Sequence, residues 1–165
     1  MENNMFCFQC QETAKGFGCT LKGVCGKNAT TARTMDLLLF VVRGISVVAD
    51  QLRQHSLPVE KEVDNFIVDA LFCTITNANF DEVRMEEEIR KMMLLRDQLR
   101  EGLKESDRSE LPDAAVFQAE SLEAMQFKAS YVGVLSTRDV NIRSLRQLIT
   151  YGLKGMAAYV HHAAN

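Results

Sequence analysis

Four of the five cysteines lie within the first 25 residues of this 165-residue chain, and no other feature constrains the fold as strongly. Two residues separate Cys7 from Cys10, eight separate Cys10 from Cys19, and five separate Cys19 from Cys25, while Cys73 stands alone. Disulfide frameworks of small secreted folds do not usually cluster in this way. No apolar leader precedes Cys7, so we expect a cytoplasmic protein, in a reducing compartment where clustered thiols bind metal.

Residues 1–28 differ in character from the rest of the chain. Four glycines accompany the cysteines there, which is typical of backbone that turns tightly or closely approaches a bound group. From residue 29 onward, apolar residues recur at the three- and four-residue spacing of amphipathic helices. We therefore predict an all-α fold. Residues 29–165 form a helical bundle of the three-helix-bundle type, and residues 1–28 form an irregular Cys/Gly-rich cluster-binding loop of the same domain.

The apolar periodicity also predicts where the helices lie. Helices are predicted over residues 30–54, 58–76, 80–103 and 114–130, and from 140 onward. The first has so wide an apolar surface that it should be central, and the fourth has the weakest pattern. Asn79 with Glu82 resembles a capping box, and Asp139 is the predicted N-cap of the last helix. The predicted buried stripe of that last helix is Ile142, Leu145, Ile149, Leu153, Met156 and Val160.

Four thiolates suit either a tetrahedral zinc ion or an iron–sulfur cluster. Structural zinc ribbons usually show two close cysteine pairs, whereas this chain has one close pair followed by two single cysteines. A cubane cluster is larger than one ion, and each of its irons needs one ligand. The spacing therefore favours iron–sulfur over zinc, and zinc over ordinary thiols. Lys15, Lys22 and Lys27 add positive charge that favours a reduced cluster. The candidate ligands are Cys7, Cys10, Cys19 and Cys25.

Charge and hydropathy exclude two classes of partner. The chain has 19 Lys and Arg against 22 Asp and Glu, a net charge of -3, which argues against a broad nucleic-acid-binding surface. Its most apolar run, residues 37–49, is interrupted by Arg43 and is too short to span a bilayer. We expect neither nucleic acid nor a membrane as a partner.

The remaining metal-ligating residue types have simpler interpretations. Cys73 shares a helical stripe with apolar residues, so an inert core thiol is expected. His55, His161 and His162 lie near helix ends, where solvation or interaction with the helix dipole is expected. The methionines at 85, 92 and 93 are expected to fill the core.

Several segments together resemble one known family. They are MFCFQCQETA at 5–14, GC at 18–19, GVCGK at 23–27, LFCTITNANFD at 71–81, VGVLS at 132–136 and IRSLRQLITYGLKGMAAY at 142–159. These segments are similar to the first domain of the hybrid-cluster proteins, also called prismane proteins or hydroxylamine reductases. The resemblance spans essentially the whole chain.

This resemblance implies a helical domain that carries an iron–sulfur cluster on the motif seen here. In the family, the short cysteine spacing goes with a 4Fe-4S cluster and a wider spacing with 2Fe-2S. Later domains hold the catalytic hybrid iron–sulfur–oxygen cluster, and no cysteine after Cys73 exists here to provide its sulfur ligands. The chain would be an electron-transfer domain with no catalytic residue of its own, in a protein that reduces hydroxylamine to ammonia and water. Nitric oxide has also been proposed as a family substrate.

The implied partners are the remaining domains of the parent protein or a redox partner, and a homodimer is a further alternative. Two other functions stay open on the sequence. One is a structural or interaction module in which a four-cysteine metal site, zinc or iron–sulfur, only staples the N-terminus. The weaker one is a free-standing ferredoxin-like electron carrier.

Overall fold

The computed structural model describes residues 5–76 and 81–164, and within these ranges the protein is all-α, as predicted. The finer prediction of a three-helix-bundle type stays a prediction. The described part of the chain contains no β-strand, only an isolated bridge between Cys7 and Cys19. Its helices are α1 (Ala29–Gln54), α2 (Lys61–Cys73), α3 (Glu82–Glu101), α4 (Glu105–Ser109), α5 (Asp113–Val116), α6 (Leu122–Ala129) and α7 (Val140–Ala164).

Helix α1 is the central element, as its wide apolar surface predicts. Asn28 caps it by accepting a hydrogen bond from the backbone N–H of Thr31 at 2.8 Å. Its side chains are buried over most of the circumference, and α2, α3, α5 and α6 each contact it. Arg43, Asp50 and Gln54 leave only a narrow exposed stripe, so the helix lies largely inside the bundle.

Helix α3 packs along α1 through Met85, Ile89, Met92 and Met93, which confirms the core role predicted for the methionines. Its N-cap is Asp81, whose Oδ1 accepts from the Arg84 N–H at 3.2 Å. The predicted capping box is therefore misplaced by two residues, and Asn79 itself lies outside the described residues.

The predicted helix over residues 114–130 is wrong, because two short helices occupy this region. Phe117 ends α5 with extended backbone, at φ -56° and ψ 131°. Ser121 then starts α6 by accepting a hydrogen bond from the Ala124 N–H at 3.1 Å. A local cap thus overrides a helical pattern that was already weak.

The predicted buried stripe of α7 is also wrong. Asp139 does cap the helix, by accepting from the N–H groups of Asn141 and Ile142 at 2.9 Å. The six apolar residues of the stripe, however, are 46–65% exposed. The side of α7 that faces the other helices is mostly polar, because the polar side chains on it have specific partners. The residues on this side include Arg143, Gln147, Tyr151, Lys154, Ala157 and His161.

Two further observations concern the surface of the bundle. Gly152 and Gly155 of α7 have open space beside them, so no described element makes the close backbone approach that these small residues permit. None of the helices in the described ranges is long and apolar enough to cross a membrane.

Candidate metal centre

Two of the four predicted ligands are held together by backbone hydrogen bonds. The N–H of Cys7 donates to the carbonyl of Cys19 at 2.9 Å, and the N–H of Cys19 donates back to Cys7 at 2.9 Å. Both side chains are buried in a small apolar cluster with Met5 and with Ala29 and Ala32 of α1. The first turn of α1 therefore packs beneath the cysteine loop and forms its floor.

A backbone N–H group points at one sulfur of this pair: the N–H of Ala14 lies 3.5 Å from the Cys19 sulfur. At the other sulfur, the backbone of Gln9 lowers the pKa of Cys7 against the effect of burial. Such N–H···S hydrogen bonds favour the thiolate form that binds metal, and they tune the reduction potential of iron–sulfur clusters. Without a metal, burial nonetheless raises the pKa of Cys7 to about 11.

The loop between Cys10 and Cys19 turns through backbone that favours glycine. Gly16 and Gly18 have φ values of 71° and 140°. At Gly18 a Cβ would lie 2.5 Å from the ring of Phe6, and the φ of 140° is strained for other residues, so glycine is favoured there. The loop can thus return Cys19 to Cys7 while Phe6 packs over it.

Cys10 and Cys25 lie half-buried on flanking turns. The Cys10 carbonyl accepts hydrogen bonds from the Thr13 hydroxyl at 2.8 Å and from the Tyr151 hydroxyl at 2.9 Å. Cys25 lies in a turn closed by the Gly23 N–H, which donates to the Lys27 carbonyl at 2.8 Å. Both turns leave their thiols partly accessible.

All four cysteines are free thiols. Among residues 5–76 and 81–164, no three Cys, His, Asp or Glu side chains are gathered around a point where they could hold a metal ion. The structure therefore pairs Cys7 with Cys19 and places Cys10 and Cys25 nearby in the chain, without closing a four-sulfur site. Cys73 lies outside this loop in the sequence: it is half-buried on α2 against the main core, and burial raises its pKa while Lys27 of the loop opposes the rise.

A buried polar network behind the Cys7–Cys10 turn was not predicted from the sequence. Lys154 of α7 donates to the Gln9 carbonyl at 3.0 Å and to the Gln9 side-chain oxygen at 2.5 Å. The Gln9 amide nitrogen in turn donates to Asp36 of α1 at 2.5 Å. The available signal was the polar series Gln147, Tyr151 and Lys154, whose spacing of four and three defines one helical face.

Burial shifts the two charged groups of this network towards neutrality. Desolvation raises the pKa of Asp36 to about 7, although the Lys154 ammonium opposes this shift. Desolvation likewise lowers the pKa of Lys154 to about 8, against the attraction of Asp36 and of Cys7 and Cys10. The cysteine turn therefore lies against a buried cation whose natural counter-charges are a carboxylate and thiolates.

The histidines make structural contacts. His161 lies 2.9 Å from Asp69 and stacks on Phe72 of α2, with ring centroids 4.4 Å apart, which ties the end of α7 to α2. His55, at the end of α1, lies 3.0 Å from Asp107. His161 therefore has an aromatic and an acidic partner in addition to its position in the last turn of α7, where solvation or an interaction with the helix dipole was predicted.

Comparison with known proteins places this arrangement in a family. The sequence model of the Prismane/CO dehydrogenase family matches residues 5–165. The chain belongs to this family. That membership confirms the resemblance found in the sequence, and it supports an iron–sulfur cofactor.

Relatives of this prismane-family chain are named hydroxylamine reductases. The one from Bacteroides thetaiotaomicron is 52% identical over 162 residues, covering 98% of this chain and 29% of the relative. The one from Desulfitobacterium hafniense is 49% identical over 163 residues, covering 97% and 30%. The one from Clostridium tetani is 45% identical over 188 residues, covering 98% and 33%. The chain therefore spans about a third or less of the length of these relatives.

Proposed function

We propose that this chain is the electron-transfer domain of a hydroxylamine reductase, with a 4Fe-4S cluster bound by Cys7, Cys10, Cys19 and Cys25. The observation that carries the proposal is the paired, buried Cys7 and Cys19, with the backbone N–H of Ala14 3.5 Å from the Cys19 sulfur. The names of the relatives provide the reaction class.

The cysteine spacing supports a cubane over zinc, and the resemblance to a family in which short spacing goes with 4Fe-4S supports it over 2Fe-2S. Each thiolate of a cubane binds a different iron, so its ligands lie farther apart than the four donors of one zinc ion. One close pair and two single cysteines on separate turns match that need. When bound, the cluster takes up and releases one electron at a time.

The residues of the chain hold and shield the site. The floor formed by Ala29 and Ala32 and the cover formed by Met5 keep water from the inner sulfurs. Cys10 lines an open groove together with Phe8 and Tyr151, which leaves one side of the site accessible. We assign electron entry to this open side. No residue of the chain takes an acid–base role.

Reduction of hydroxylamine uses two electrons and two protons and yields ammonia and water. We propose that the substrate binds at a hybrid iron–sulfur–oxygen cluster held by residues outside this chain, and that this domain delivers the electrons. The exposed apolar side of α7, with Leu145, Ile149 and Met156 each more than 60% exposed, supports a covering partner. The fraction of the relatives that the chain spans supports further domains as that partner, in the reducing cytoplasm.

The test is iron and sulfide analysis of anaerobically purified protein, followed by reduction with dithionite. We expect about four irons and four sulfides per chain, a brown colour that bleaches on reduction, and an electron paramagnetic resonance signal of the reduced cluster. Cys25→Ser should lower the iron content. Cys73→Ser should leave it unchanged, because Cys73 lies on α2 outside the cysteine loop.

Three results would contradict the proposal in different ways. A colourless protein with one zinc per chain would support the structural module with a four-cysteine staple. Two irons per chain would indicate a 2Fe-2S cluster. An iron–sulfur cluster that dithionite does not reduce would remove the electron-transfer role.

A further inference from the structure

Gln9 lies between the first two cysteines, and both ends of its side chain are held. Its amide oxygen accepts from Lys154 at 2.5 Å, and its amide nitrogen donates to Asp36 at 2.5 Å. Its backbone carbonyl also accepts from Lys154 at 3.0 Å. This one residue thus connects α1 and α7, which flank the turn, to the backbone that carries Cys7 and Cys10.

All three members of this clamp are shielded from water. Gln9 is 1% exposed, Lys154 is 2% exposed and Asp36 is 7% exposed. Burying a lysine at a helix position costs free energy unless its charge and its donors are matched. Here the Lys154 ammonium donates two hydrogen bonds, both to Gln9, and the charges that attract it are Asp36 and the two cysteines of the turn.

We propose that Lys154 is a positioning residue for the cluster: together with Asp36 it clamps Gln9 and so fixes the Cys7–Cys10 turn, and its buried ammonium raises the cluster's reduction potential. This inference rests on the iron–sulfur cluster proposed above. Lys154 of the last helix, 145 residues after Gln9 in the chain, thus has a direct effect on the cofactor.

The clamp acts on the geometry of the first ligand. The backbone of Gln9 lowers the pKa of Cys7 against the effect of burial, so the conformation of residue 9 affects this ligand. Lys154 binds the carbonyl and the side chain of Gln9, and together these two contacts limit rotation about the Cα of this residue. Loss of the clamp should therefore loosen the backbone of residues 8–10.

The electrostatic effect follows from burial. Reduction adds one negative charge to the cluster, and a nearby positive charge stabilises the more negative state. Charges interact much more strongly in the protein interior than in water, where salt screens them. Lys154 should therefore shift the potential far more than exposed lysines of the cysteine loop, such as Lys22.

The test compares reduction potentials of anaerobically purified wild type, Lys154→Gln, Lys154→Met and Lys154→Arg, with Lys22→Met as control. Gln keeps a hydrogen-bond donor without the charge, Met removes both, and Arg keeps both. We expect the Gln and Met variants to be at least tenfold harder to reduce at equilibrium, a shift of about 59 mV for one electron. For Lys154→Arg and for Lys22→Met, the equilibrium constant for reduction should stay within about threefold of the wild-type value.

A second measurement follows hydrogen exchange of the backbone amides of residues 8–10 in chain freed of metal. We expect Lys154→Met to speed this exchange about tenfold and Lys154→Arg to restore slow exchange. This readout needs no cluster, so it tests the clamp even if the Met variant loses its iron.

Unchanged potentials in both the Gln and Met variants would overturn the electrostatic effect, and unchanged exchange in the Met variant would overturn the clamp. Either result leaves the proposed cluster intact if iron is bound. A wild type without iron would instead contradict the proposed function and, with it, the potential shift.

Discussion

The carboxylate of Asp36 lies directly against the backbone of Gly133. A Cβ at position 133 would lie 2.6 Å from Asp36 Oδ2, closer than real atoms of this kind approach each other. The loop that joins α6 to α7 thus closes over the outer end of the Asp36–Gln9–Lys154 network. This contact keeps water from a carboxylate whose pKa burial raises to about 7.

We predict that Gly133→Ala destabilises the chain by about 1–3 kcal/mol, because its methyl group must displace Asp36 or the loop. Backbone strain plays no part, since φ of -67° at Gly133 suits alanine. The matched control is Gly155→Ala on α7, where a Cβ meets nothing within 4 Å. Alanine there should be neutral or stabilise by up to about 1 kcal/mol, as in other helix interiors. Urea unfolding measures the stability of both variants. Equal urea midpoints for Gly133→Ala and Gly155→Ala would contradict the predicted clash.

The raised pKa of Asp36 predicts a pH dependence of stability. Its pKa is 3.8 ordinarily and about 7 in the fold, where Lys154 and Arg43 are the charges that oppose the rise. The protonated carboxyl therefore contributes stability that is complete below pH 3.8 and lost as the pH rises through 7.

We expect wild type to lose stability relative to Asp36→Asn between about pH 4 and 7, by at most about 1.4 kcal/mol per pH unit. Above pH 8 the difference should be constant. Unfolding of the reduced, metal-free proteins at several pH values measures it. A difference that does not change with pH would show that Asp36 is already ionised at pH 4.

The sequence predicted α1 well and α7 badly, for a physical reason. Helix α1 buries apolar side chains over most of its circumference, so its apolar pattern predicted its central place, although the helix also buries Asp36. Helix α7 turns Tyr151 and Lys154 towards the bundle because their partners are backbone carbonyls of the cysteine turn. Apolar periodicity identifies the apolar face of a helix, but it does not show whether that face meets the same chain, another part of the protein or a second copy.

The candidate ligands show the same division. The motif and the resemblance to a family pointed to four cysteines, and this ligand set stays a prediction; the structure joins Cys7 and Cys19 by two backbone hydrogen bonds. The sequence did not predict the network of Gln9, Asp36 and Lys154. Its contacts join Gln9 to residues 27 and 145 positions away in the chain. Only folding brings these partners together.

Arg96 of α3 is completely buried and binds the backbone around α5. It donates to the carbonyls of Ala114 at 3.0 Å and Phe117 at 2.6 Å, and it pairs with Asp97. The same Ala114 carbonyl lies against Gly44 of α1, where any Cβ would overlap it. Arg96 thus fixes a segment that packs on the central helix.

We expect Arg96→Met to cost about 2–4 kcal/mol of unfolding free energy, because two partly buried carbonyls and a carboxylate lose their fully buried donor. The control is Arg53→Met. Arg53 also pairs with an aspartate, Asp64, at 2.8 Å, but both side chains are about half exposed. Its loss should cost no more than about 1 kcal/mol. Thermal or urea unfolding compares the two, and similar costs would mean that water replaces Arg96 at these carbonyls.

The apolar face of α7 gives the final prediction. Leu145 and Ile149 are 61% and 63% exposed, so replacing both with serine removes little packing within this chain. We expect the double variant to change the unfolding free energy by less than about 1 kcal/mol. It should bind less of a dye that reports exposed apolar surface, and it should associate less with itself at high concentration.

Sedimentation velocity over a range of concentrations measures this association. Ile89→Ser is the buried control, because Ile89 is 0% exposed in the core and its loss should cost more than about 2 kcal/mol. If the α7 variant is destabilised as much as this control, its apolar face is packed within the chain in solution, as the periodicity predicted. If its stability holds and association falls, the face is a docking surface. The polar, inward side of α7 then sets the cysteine turn while the outer side binds the partner, so docking and the proposed cofactor site share one helix.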